Sequence, residues 1–194
     1  MKTLLSLAGL ILLAAPSLLA SDHTLQLDPQ QSRIEVAVHA TMDSFTAQLP
    51  RFQTDIVYDP AAGTVERATL VFDFHDLLTG KTRRDEEMHH WQETEHFPIG
   101  RFELNELQRV QPGRYVAHGI LQLHGVRRPV QFPVLLAGNE NTLSIDGEAR
   151  LDVQDFGLKR IRKFGLLRVD PEVTVQFHLQ GVLVQPVARQ EPSR

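Results

Sequence analysis

The sequence predicts an all-β protein in which antiparallel strands form a sandwich or a barrel, accompanied by a single helix. Three observations carry this. Apolar residues recur with period two in several separate runs, turn-forming residues punctuate those runs, and one segment alone switches to helical spacing. The chain has 194 residues, no cysteine and a formal net charge of -4.

Taken in order, residues 1–20, MKTLLSLAGLILLAAPSLLA, read as a secretory signal peptide: Lys2 is followed by an apolar stretch from Leu4 to Ala15. The stretch is short for a membrane span and Pro16 interrupts it. Cleavage is expected near Ala20-Ser21, and with no cysteine to follow, a lipoprotein anchor is excluded. Residues 21–185 then make one domain, long enough to bury a core, and 186–194, polar with Pro186 and Pro192, read as a disordered tail. An exported chain without cysteine has no disulfide frame, so packing must hold it together, and thiol chemistry and Cys metal sites are excluded. The balance of 20 Lys+Arg against 24 Asp+Glu argues against a nucleic-acid partner.

Ile34, Val36 and Val38 alternate with Arg33, Glu35 and His39, the pattern of a half-buried strand. Leu70, Phe72 and Phe74 repeat it, as do Leu143 to Leu151 and Val173 to Leu179 at every second position. Between Ile120 and Leu136 two such arms meet at His124-Gly125, a hairpin signal, with Leu121 and Leu123 facing the same side as Val130, Phe132 and Val134. Asp28-Pro29, Asp59-Pro60, Pro112-Gly113, Gly138-Asn139 and Asp170-Pro171 supply the turns. Thr82 to Thr94, TRRDEEMHHWQET, is the predicted helix, with Thr82 as N-cap and Arg84-Asp85 as a structural pair at its start. Met88 and Trp91 lie one turn apart and are expected to face the interior as the helix plugs a barrel end or covers a sheet edge.

Asp28-Pro29-x-x-Ser32-x-Ile34, Val57-Tyr58-Asp59-Pro60, Thr82-x-Arg84-Asp85-x-x-Met88 and Phe97-Pro98-x-x-x-Phe102 follow one another along the chain. Gly119-x-Leu121-x-Leu123-His124-Gly125-Val126-x-x-Pro129-Val130 and Asp155-Phe156-Gly157 complete the order. Together these resemble the YceI-like family. The family usually has His where Glu87 stands and Arg where Val153 stands, and the segment after Gly157 is longer and more basic here. The resemblance implies an extended antiparallel lipocalin-like β-barrel of about eight strands, with one short helix covering an end. It also implies a non-catalytic periplasmic binding or carrier protein for an isoprenoid, an isoprenoid quinone or a polyprenyl phosphate.

A barrel interior either packs solid or holds one ligand, and periodicity alone does not separate the two. The candidate lining is Ile34, Val36, Val38, Phe72, Phe74, Met88, Trp91, Phe102, Leu121, Leu123, Phe132, Val134, Phe156 and Phe177. Lys159, Arg160, Arg162 and Lys163 read either as a cationic rim for a polar or phosphorylated head group or as a solvated loop. His89, His90 and His96 with Glu86 and Glu93 raise a metal- or redox-associated enzyme as the alternative, though neither H-x-x-x-H nor H-E-x-x-H is present. A stress-related envelope protein with a packed barrel is a third reading. No G-x-S-x-G or Gly-rich phosphate loop occurs, so the nucleophilic hydrolase and nucleotide readings fail. The carrier reading expects no catalytic residue, cofactor or metal. The expected partner is the lipid-like ligand; the mature chain has no transmembrane segment, and a homodimer is compatible with the sequence.

Overall fold

A computed structural model describes residues 22–41, 43–163 and 167–185, with the side chains of 162, 163, 167 and 168 excepted. The expected signal peptide, 1–20, and tail, 186–194, lie outside the described residues. Strands β1 (His23–Leu27), β2 (Arg33–Ala40), β3 (Phe45–Gln48), β4 (Gln53–Asp59) and β5 (Thr64–Asp73) are followed by a 3-10 turn, Phe74–Asp76, and helix α1 (Thr82–Gln92). After it come β6 (Ile99–Gln111), β7 (Arg114–Leu123), β8 (Val126–Gly138) and β9 (Thr142–Asp152). A second 3-10 turn, Val153–Phe156, leads to the short β10 (Arg162–Lys163) and the long β11 (Leu167–Val184).

The strands close into an antiparallel barrel of eight staves. Two staves are each broken into collinear halves. β1 and β2 both run along β11, as Thr24↔Val184 and Leu27↔Gly181 give way to Arg33↔His178 and Ala40↔Val169. β3 and β4 likewise run along β2 and β1. From there β4, β5, β6, β7, β8, β9 and β11 pair in chain order, so the barrel is a simple up-and-down meander and β1 closes it between β4 and β11. Closure through β1 leaves the short β3 as a strand edge, among the described residues, without a neighbouring strand.

Local chemistry explains the joints. The predicted hairpin turns at His124 and Gly125, with φ 47° and 72°, both in the left-handed region that a two-residue type I′ turn requires. β11 shifts register between Val169 and Val173, around Pro171, which has no N–H to give the ladder. The free edge of β3 is met by Leu78, whose N–H and carbonyl exchange two 2.8 Å bonds with Gln48.

Helix α1 starts differently from the expectation. Lys81, not Thr82, is the N-cap, and no side chain caps it. Asp85 instead reaches back past the cap, accepting from the backbone N–H of Thr79 at 2.8 Å and from its hydroxyl at 2.5 Å. Arg84 Nε donates to the same hydroxyl at 3.1 Å. The Arg84-Asp85 pair therefore ties the helix to a buried threonine in the preceding loop. Among the described residues no helix is long and apolar enough to cross a membrane.

Candidate functional site

The inward faces of the staves do not meet. They enclose a cavity of about 1280 Å³ that runs from a packed floor to a charged mouth. The floor lies at the end where the short turns are. Leu25, Ile56, Val65, Leu143 and Leu179 are all buried there, and the Tyr115 hydroxyl donates to the Gly63 carbonyl at 2.7 Å. Above it the wall is apolar, and many inward side chains, Val36, Phe72, Phe102, Phe132 and Phe177 among them, stay only half-buried. Side chains of a packed core would be closed off on all sides. A solid barrel interior, one of the readings open from sequence, is not what forms.

Three phenylalanine rings are pressed against the wall by glycines on neighbouring strands. Phe72 lies opposite Gly100, Phe177 lies opposite Gly147, and Phe102 leans over Gly119. Phe132 sits between two of them, its ring centroid 5.5 Å from Phe102 and 5.8 Å from Phe177, the latter edge to face. Aromatic area is thus laid along the wall while the centre stays open.

The mouth is built from α1, the loop before β3 and the segment after Gly157. Met88 and Trp91 face the cavity from the helix, as their one-turn spacing predicts. The Trp91 indole N–H donates to the Lys159 carbonyl at 2.7 Å, spanning the mouth. On the other side the Arg84 guanidinium lies 3.9 Å over the Phe45 ring and 3.4 Å from Asp43, which Lys81 also approaches at 3.2 Å. Arg83 pairs with Glu87 at 3.7 Å. Lys159 and Arg160 also line the mouth, and neither ion-pairs with a described carboxylate.

Thirteen of the fourteen residues picked as lining stand on the cavity wall: Ile34, Val36, Val38, Phe72, Phe74, Met88, Trp91, Phe102, Leu121, Leu123, Phe132, Val134 and Phe177. Phe156 does not. It is 2% exposed within the second 3-10 turn, its carbonyl 3.3 Å from His124 Nδ1, while Val153 and Leu158 on either side reach the cavity. That turn lifts the chain out of the sheet, so neighbouring strands no longer dictate which way the ring points. Of the basic cluster, Lys159 and Arg160 are at the mouth, and the side chains of Arg162 and Lys163 lie outside the described residues.

Two kinds of wall residue lie outside the predicted lining. Leu70, Leu104 and Val175 share the alternation of Phe72, Phe102 and Phe177, so the sequence carries their signal. Phe45, Leu77 and Ile161 lie in or beside irregular segments, where no period marks them.

The histidines are dispersed. His75 Nδ1 lies 2.7 Å from Asp73 and its ring stacks on His89 at 5.4 Å, His89 faces Thr94, and His90 opens on the mouth. Among the described residues no three His, Asp or Glu side chains converge as a metal site would require. The Asp73 carboxylate and, more weakly, Glu95 hold the His75 imidazole above the ordinary histidine value of 6.5.

Comparison with known proteins agrees with this architecture. The YceI-like domain family matches residues 25–181. The fold is similar to that of BcnA from Burkholderia cenocepacia, at 19% identity over 80% of this chain and 99% of that one, with a TM-score of 0.72. It is also similar to a YCEI protein of Campylobacter jejuni (12% identity, 74% and 88% covered, TM-score 0.65). A third likeness is to a polyisoprenoid binding domain from Saccharophagus degradans implicated in plant cell wall breakdown (17% identity, 86% and 99% covered, TM-score 0.60). No curated protein matches. At these identities the structural likenesses speak for the fold.

Proposed function

The chain belongs to the YceI-like family, and from that premise we propose that it is a non-catalytic carrier or reservoir for a long apolar molecule. The ligand class is an isoprenoid, an isoprenoid quinone or a polyprenyl phosphate, and the location is the periplasm, reached through the signal peptide read at residues 1–20. One observation carries the proposal: a blind-ended apolar cavity of about 1280 Å³ with its charge gathered at one end. A methylene takes about the space of a liquid water molecule, roughly 30 Å³, so the cavity holds on the order of 40 carbons. Each carbon moved from water into such a wall contributes about 0.8 kcal/mol, so a ligand filling only part of the cavity still binds well after its ordering cost.

The polyisoprenoid binding of the Saccharophagus domain supports the same ligand class here. Nothing in this chemistry needs a nucleophile or a metal: the wall desolvates the chain, and Lys159 and Arg160 face whatever polar head remains at the mouth. The test is mass spectrometry of the protein purified from its own envelope under non-denaturing conditions. A co-purifying isoprenoid released on denaturation is the expected result. Preparations that stay empty, and that ignore added polyprenols and quinones while folded, would overturn the reading.

A further inference from the structure

The lumen of this barrel owes its bore to the absence of a β-carbon at a few wall positions. At Gly147 an added Cβ would stand 2.2 Å from Cζ of Phe177 and 2.7 Å from its Cε1, with no backbone atom among the three nearest. At Gly100 it would stand 2.2 Å from Cζ of Phe72, again against ring atoms alone. Gly119 differs, because its Cβ would meet the Glu103 carbonyl at 2.5 Å as well as the Phe102 ring. At the first two positions only a side chain has to give way, by about 1.2 Å from 2.2 Å to the 3.4 Å of ordinary contact.

Where the ring can go decides the effect. Phe177 is flanked on β2 by the buried Ile34 and, within 5.8 Å, by Phe132. Outward lies the sheet itself, so the ring lifts into the lumen. The two pairs also sit at different depths. Gly147 pairs with Val134 and lies two residues from Ile145, both buried, so Phe177 marks the boundary between floor and lumen. Phe72 is one residue from the end of β5 and packs edge to face on Phe74 at 5.1 Å, so it stands below the mouth.

We propose that the Phe177–Gly147 and Phe72–Gly100 pairs are the specificity-determining residues of the cavity: the first sets how long a chain fits, the second how readily a chain enters. This rests on the carrier reading for its ligand, though the bore itself is a property of the empty barrel. No contact with a head group is needed. A chain is measured by where the first ring that cannot lie flat interrupts its path.

The experiment compares the full-length wild-type protein with Gly147→Ala and Gly100→Ala, offering polyprenols of increasing length one at a time and reading bound stoichiometry, affinity and the time course of uptake by native mass spectrometry. Gly147→Ala should lose roughly tenfold or more affinity for the longest polyprenol the wild type holds, since an excluded isoprene unit forfeits several buried carbons, while short homologues bind unchanged. Gly100→Ala should slow uptake of every length without moving the length limit. Adding Phe177→Leu to Gly147→Ala should restore the longest chain. A folded Gly147→Ala protein with the wild-type length limit would overturn the proposal.

Crystal structures of both variants separate this inference from the carrier reading. If the wild type binds no polyprenol, the carrier reading falls, and the structures still decide about the bore. A Phe177 ring displaced into a smaller lumen upholds it; a strand displaced outward with the lumen unchanged overturns it.

Discussion

The Trp91 indole and the Lys159 carbonyl, 2.7 Å apart, form the hydrogen bond that joins helix α1 to the segment on the far side of the mouth. At its other end the helix is held by Asp85 and Arg84 on Thr79. Losing the Trp91 bond therefore loosens one side of the opening and leaves the other in place. A neutral bond of this kind is worth about 0.5–1.5 kcal/mol, so Trp91→Phe should speed ligand release by about 2- to 10-fold. The check is a stopped-flow measurement of lipid transfer to vesicles; a folded variant that releases no faster would show that the bond does not govern escape.

Asp85 accepts two hydrogen bonds from Thr79, which is only 7% exposed. Asp85→Ala leaves a buried N–H without a partner, a loss of about 1.5–3 kcal/mol for bonds to a charged group. Denaturant titration should show it as a lowered midpoint with an unchanged slope. Full wild-type stability would mean that water replaces the carboxylate without cost.

His75 is the group whose charge responds to pH at the first 3-10 turn. Its pKa is raised, chiefly by the Asp73 side chain, so any stability that the charged pair contributes is fully present below 6.5 and is lost as pH rises through the raised value. Because the ring is largely exposed, the effect on global stability is small. Proton NMR should find the His75 midpoint above 6.5 and Asp73→Asn should bring it down; an unmoved midpoint would remove Asp73 as the cause.

Lys159 and Arg160 make a charge-based prediction about the head group. Reversing both, Lys159→Glu with Arg160→Glu, should weaken binding of a polyprenyl phosphate and leave the matching polyprenol unaffected, with the difference shrinking at high salt. Equal loss for both ligands would assign the two residues to the architecture of the mouth alone.

Much of the barrel was legible because a half-buried strand writes its inward face at every second position. Ile34, Val36 and Val38, or Leu121 and Leu123 against Phe132 and Val134, show which side faces in without any knowledge of partners. The hairpin at His124-Gly125 was legible for a second local reason, the glycine free to take the positive φ of a tight reversal, although the positive φ of His124 carries no such signal. What stayed hidden depends on register or on irregular backbone. The pairing of Phe177 with Gly147 joins residues 30 positions apart and exists only once β9 and β11 align. Phe156 sits where the sheet has ended, and Asp85 binds Thr79 outside any capping pattern. Whether the inward faces meet or stand apart is set by the closure of eight staves, a global quantity that no window of residues contains.

Both of the long connections in the meander, the one bearing α1 and the one after Gly157, emerge at the same rim, while among the described residues the strands are joined at the opposite rim by tight reversals. The polypeptide thereby keeps its packed floor at one pole and its exposed charge at the other. Insertions or substitutions around the open pole should therefore be tolerated without disturbing the hoop of paired strands, which tight reversals close at the other end.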